Sequence, residues 1–197
     1  MGGGGRWLAD NVVDFEVTPE SVRKLLGSAQ RATRDRAVQA LLRNRVQRGG
    51  ILAPGAGLMK NGENGRGLRS RWYPATLRKR ILAIMEMRHR IVFEEGDGLE
   101  TIQRNSRRRD VAYFIDPPYT VAGRRLYAHP EIDHEALFSL AGTSAGDFLM
   151  TYDNAAEIHD LARRHRFDTE VVAMKSTHHA QMSELLVGRN LDWDRSW

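Results

Sequence analysis

The stretch YFIDPPYT, residues 113–120, joins an apolar run to an acid, two prolines and a tyrosine. Proline fixes its own φ and restricts the residue before it, so Asp116-Pro117-Pro118 is a nearly rigid bracket. The bracket aims the Asp116 carboxylate and the Pro117 carbonyl, and Tyr119 adds a flat stacking face. Both oxygens are acceptors, and together they match a group with two donor hydrogens, a primary amine. A strand that simply ends at a Pro-Pro turn would use the same residues. The surrounding elements have to decide between the two.

Asp97 is the second acid of interest, at the end of IVFEEGD (91–97). If IVF (91–93) and VAYFI (111–115) are strands of one open α/β sheet, Asp97 and Asp116 share the rim where such sheets bind ligands. Asp97 as a plain turn acid is the alternative. His178 and His179 resemble a metal pair, but neighbours on a strand point to opposite faces, so they read as loop residues and no metal is expected. The chain has no cysteine, which excludes disulfides, thiolate nucleophiles and thiolate metal sites, and is compatible with a reducing cytoplasm.

The elements that would position these acids alternate in type. Thr18-Pro19-Glu20 is a helix start. A second helix is expected from about Thr33 to Arg48, stopped by Gly49-Gly50. Residues 49–73 form a long, Gly-rich, basic loop, whose glycines match neither a phosphate-binding loop nor a dinucleotide fingerprint. A helix follows from about Pro74. NVVDF (11–15) could be a strand. VAYFI and DFLMTYD (147–153) read as buried strands, VAYFI as a central one covered on both faces. Asn154 with Glu157 suggests a capping box for the next helix. TEVVAM (169–174) and SELLVG (183–188) read as an antiparallel closing pair. This order predicts an α/β fold with a largely parallel sheet. It divides into a helical segment over 1–90 that carries the basic loop and an α/β part over 91–197.

The 197 residues hold 30 Lys plus Arg against 25 Asp plus Glu, for a net charge of +5. The basic residues are almost all arginine, which grips phosphate bidentately and stacks on bases. Nucleic acid is therefore the expected partner, although a codon bias toward arginine would give the same excess. No apolar run is long enough to span a bilayer, so no membrane partner is expected.

DPPY after an apolar strand resembles the signature of amino-methylating DNA methyltransferases, and the chain resembles the Dam-type adenine-specific family. NRVQRGGIL (44–52) is similar to the family's segment before its target-recognition region. RWYPATLRKRI (71–81) is similar to the helix that follows. EGDGLE (95–100) resembles the acid turn that holds the cofactor's adenine, and ELLVGR (184–189) the closing strand. The likeness runs from about Gln39 to Arg189.

The resemblance implies a Rossmann-like methyltransferase sheet, S-adenosylmethionine as cofactor and double-stranded DNA as substrate, with the target base extruded from the duplex. It implies that Asp116 and Pro117 accept the adenine amine hydrogens and that Pro118 and Tyr119 complete the catalytic tetrad. Asp97, with Asp116, would hold the cofactor. Asn44, Arg45, Arg66, Arg69, Arg71, Trp72, Tyr73, Arg78, Lys79, Arg80, Arg124 and Arg125 would hold phosphates and read bases. The family's Gly-rich turn after a first sheet strand and its ribose-binding acid have no convincing counterpart here. The sheet is therefore expected to be incomplete at the N-terminus, with weak cofactor binding, negligible methylation by this chain alone, and association with a second copy or a complementing chain. A catalytically inactive DNA-binding relic, or an amino-methyltransferase acting on RNA or protein, is the alternative.

Overall fold

The computed structural model describes residues 3–52, 56–62, 65–119, 131–175 and 181–192. They form two compact units, Met1–Glu94 and Glu95–Trp197.

The first unit is helical. Helices α1 (Gly3–Asp14), α2 (Pro19–Gly27), α3 (Thr33–Val46) and α4 (Pro74–Met87) are joined by short 3-10 turns at Arg48–Gly50 and Gly67–Arg71. Thr18 caps α2 by the reciprocal bond with Ser21, and Pro19 opens its first turn, as their residue types require. NVVDF is not a strand: Asn11–Asp14 are the last turn of α1, and Val12 is fully buried. The apolar residues there recur at helical spacing with Leu8 and have no strand partner to pair with. Val12, Val22, Leu42, Val46, Trp72 and Leu77 form one core. Helices α1 and α4 pack directly on each other, and a Cβ on Gly5 would stand 2.6 Å from the Met85 sulfur.

The second unit is α/β. It contains α5 (Gly98–Asn105), β1 (Ala112–Ile115), α6 (His134–Thr143), β2 (Asp147–Asp153), α7 (Ala156–His165), β3 (Asp168–Lys175) and β4 (Gln181–Gly188). The sheet order is β1-β2-β4-β3. Only β1 and β2 run parallel; β4 is antiparallel to both β2 and β3. The sheet is therefore mixed rather than largely parallel. The short link between β3 and β4 forces that pair to be antiparallel, and β4 then inserts beside β2.

Three further expectations are corrected. First, VAYFI is an edge strand: Tyr113 and Ile115 pack on the core, while Phe114 is 71% exposed on the opposite face. Second, IVF (91–93) is not a strand. Val92 and Phe93 are each 86% exposed, because an apolar run of three bounded by charges offers few ladder bonds to offset its ordering. Third, no capping box forms at Asn154. Ala155 is the N-cap of α7, without a side-chain bond, and Asn154 turns to Ser183 and His159 instead.

One face of the sheet carries the core. Phe148, Met150 and Tyr152 of β2 and Leu185 and Val187 of β4 meet Leu137, Phe138 and Ala141 of α6 and Ile158, Leu161 and Ala162 of α7. Strand periodicity puts Thr151 and Asp153 on the other face, where the register sets Asp153 directly opposite Glu184. Gly146 lets β2 start against the residue that leads into β1, since a Cβ there would collide with the Val111 carbonyl.

Candidate functional site

Asp116 leaves the carboxyl end of β1, and its parallel neighbour β2 supplies the group that holds it. Thr151 donates its hydroxyl to Asp116 Oδ1 at 2.8 Å. Thr151 is 8% exposed and Asp116 is exposed, so the hydroxyl is fixed by packing and the carboxylate reaches outward from it. Pro117 is buried and Pro118 half-buried, which anchors the bracket. Tyr119 is half-buried and donates its phenol O–H to Glu184 Oε1 at 3.2 Å. Beside them, Asp153 carries a buried Oδ1 with no hydrogen-bond partner among the described residues, an acceptor in want of a donor. Asp116, Pro117 and Tyr119 are thus gathered at the strand end, steadied by Thr151 and Glu184.

Sequence reasoning did not single out Thr151, Asp153 or Glu184. The signal was present. Thr151 interrupts the apolar run FLMTY at a buried position, which marks a place where a partner must exist. Glu184 stands directly before the apolar run LLV.

Asp97 has a different job. It is the N-cap of α5 and accepts the Leu99 amide at 2.8 Å. No strand ends before it, so the shared rim with Asp116 is not formed in this way.

The basic residues divide by role. Arg78 pairs with Asp10 at 3.2 Å, and Arg69 donates to the Val17 carbonyl at 2.9 Å. Arg71 donates to the Asn44 carbonyl, and Asn44 in turn donates to the Gly50 carbonyl at 3.3 Å. Arg45 and Arg71 each have a buried Nε without a partner among the described residues. Trp72 is a core residue at 8% exposure, tilted against Phe15, so its ring is not available to stack on a base. Arg66, Tyr73, Lys79 and Arg80 are exposed. Arg124 and Arg125 lie outside the described residues, as do His178 and His179.

A recess of about 730 Å³ lies at the opposite ends of β1 and β2, against Ala112, Phe114, Asp147, Leu149 and Arg189. It is away from Asp116, and the strand end is the better chemical candidate because it carries a carboxylate held by Thr151 and a tyrosine held by Glu184. Among the described residues, no group of three or more His, Asp or Glu side chains is placed to hold a metal ion. No helix among them is long and apolar enough to cross a membrane.

The residues present fit S-adenosylmethionine only in part. An orphaned acceptor on Asp153 suits a donor such as a hydroxyl or amine. However, β1 runs into the proline bracket and β2 into Asn154-Ala155, so neither ends in the Gly-rich turn that would cradle the rest of the ligand. No protein-family model matches the chain, and no characterised protein matches its sequence.

Proposed function

We propose that the second unit holds the exocyclic amine of an extruded adenine, in the manner of a DNA adenine amino-methyltransferase whose methyl donor is S-adenosylmethionine. The observation that carries this reading is the Asp116-Pro117-Pro118-Tyr119 bracket at the carboxyl end of β1, with the Asp116 carboxylate held by Thr151. In this reading Asp116 and the Pro117 carbonyl accept the two amine hydrogens, and the nitrogen lone pair is drawn out of conjugation with the ring. The fixed acceptors stabilise the positive charge that the amine develops as its nitrogen attacks the methyl group, without having to reorganise. Tyr119 offers its ring face to the base, a contact worth about 1–3 kcal/mol. In this reading the sheet is a Rossmann-like methyltransferase sheet, and the first unit, with Lys79, Arg80 and Arg66 exposed, is the part that meets DNA phosphates.

The described exits of β1 and β2, Asp116-Pro117-Pro118 and Asn154-Ala155, carry no glycine, which favours a second reading of the same site, amine recognition without methyl transfer. Both readings share one test that does not need the recognition sequence. A mismatched adenine is cheap to extrude, so duplexes with such an adenine can be compared with duplexes carrying N6,N6-dimethyladenine at the same position. The wild-type chain is expected to prefer the adenine duplex, and Asp116→Ala to lose the preference while still binding DNA. Equal affinity for both duplexes in the wild type would remove the amine site. Transfer of labelled methyl from S-adenosylmethionine to the adenine duplex would decide between the two readings.

A further inference from the structure

Glu184 is a costly residue for its place. It stands in β4 just before the apolar run Leu185–Val187, on the face away from the core, and is half-buried. The β2–β4 register puts it directly opposite Asp153. Like charges facing each other across antiparallel strands are destabilising, and a buried carboxylate needs donors. A sequence chosen for stability alone would place an apolar or neutral residue here. Local choices that work against the fold concentrate at functional sites.

The structure supplies the compensating contact. Tyr119 Oη donates to Glu184 Oε1 at 3.2 Å, across 65 positions of sequence. The ring is therefore held at both ends. Its Cβ end is set by the Pro117-Pro118 bracket, of which Pro117 is buried. Its oxygen end is tied to β4. Tying the hydroxyl restricts how the ring can turn, because the phenol O–H donates to Glu184.

We propose that Glu184 is a positioning residue for Tyr119, one that fixes the plane of the ring beside the Asp116 carboxylate. The ring's purpose as a platform for a base rests on the amine-site reading above; the contact itself does not. In this role Glu184 acts through Tyr119.

The test uses the full chain with isotope-labelled tyrosine, the Tyr119 ring signal being identified by its loss in Tyr119→Phe. In Glu184→Gln an acceptor oxygen remains and the charge opposite Asp153 is gone. The ring signal is expected to stay near its wild-type position, and thermal unfolding to occur no earlier than in the wild type. In Glu184→Ala the signal is expected to move to the position of a solvent-averaged tyrosine. The preference for the mismatched-adenine duplex over its N6,N6-dimethyl counterpart should fall on the order of fivefold in Glu184→Ala, and by less than about twofold in Glu184→Gln.

An unmoved ring signal in Glu184→Ala would overturn the proposal. So would a released ring with undiminished preference. A merely structural Glu184 would lower the unfolding temperature in both variants alike, which also counts against positioning. If the wild type shows no preference for the adenine duplex, the amine-site reading fails. The ring signal then still decides whether Glu184 orients Tyr119.

Discussion

Thr151 and Asp116 are 35 positions apart in sequence and 2.8 Å apart in space, on parallel neighbouring strands in register. The pairing of Ile115 with Met150 fixes this relationship, because the residues that follow each partner leave the ladder side by side. Thr151→Val keeps the shape and removes the donor. The cost to stability is expected to be about 0.5–1.5 kcal/mol, the net worth of one hydrogen bond. The carboxylate is no longer held, so preference for an amine-bearing base should fall several-fold, with Thr151→Ser restoring most of it. Duplex-competition binding checks this. Equal preference in the Val and Ser variants would show that Asp116 needs no orientation from β2.

That bond was not legible in the sequence, and the reason is physical. The local signals were strong where one segment sets its own conformation. The Thr18-Pro19 start holds because its capping bonds are made within four residues. The Pro-Pro bracket holds because proline acts on itself and its neighbour. Strand order depends on what other strands compete for an edge, which no single segment encodes. VAYFI was apolar enough for a central strand, yet β4 takes the other side of β2 and leaves β1 at the edge with Phe114 outward. IVF carried the same apolar character but too few residues to hold a ladder. Asp97 showed an acid at a turn, and a turn acid followed by a helix is satisfied by capping that helix.

Arginines in the first unit divide by partner, and their substitutions should divide the same way. Lys79 and Arg80 are exposed on α4. If the first unit meets phosphates, Lys79→Ala and Arg80→Ala should each reduce the slope of log affinity against log salt by about one, with unfolding unchanged. Arg71 donates to the Asn44 carbonyl, so Arg71→Ala should unfold the unit earlier. Duplex binding over a salt series checks the first pair. A salt-independent affinity would remove the electrostatic argument altogether.

Trp72 tests whether the aromatic in the basic segment is core or contact. It is 8% exposed and packs with Val12, Leu42, Val46 and Leu77. Truncation of a buried aromatic leaves a cavity, so Trp72→Ala should cost about 3–5 kcal/mol. Tyr73, beside it and 47% exposed, should tolerate Tyr73→Ala with little loss of stability. Denaturant unfolding of both variants checks this. A Trp72→Ala chain as stable as the wild type would place the ring outside the core.

His134 gives the second unit a pH dependence of known sign. Its Nδ1 lies 2.9 Å from the Tyr152 hydroxyl. Tyr152 is fully buried, and that burial pushes its phenol far above the ordinary value of 10. The phenol therefore stays protonated and can share one hydrogen bond with the Nδ1 of a neutral imidazole. Burial holds His134 below its ordinary value of 6.5, against the pull of Glu157, Asp153 and Asp133. The unfolded chain takes up a proton on this residue first, as pH falls through the ordinary value. The native state follows only at lower pH. Between those two points the unfolded state binds more protons, so the contribution is complete above the ordinary value, declines as pH falls beneath it, and levels off once the native ring is charged. Denaturant midpoints measured between about pH 7 and pH 5 should therefore fall with pH. His134→Gln removes the titrating group and offers an oxygen to Tyr152, so its midpoints should fall less over the same range. Equal slopes in the two proteins would mean that His134 ionises alike in the folded and unfolded chain.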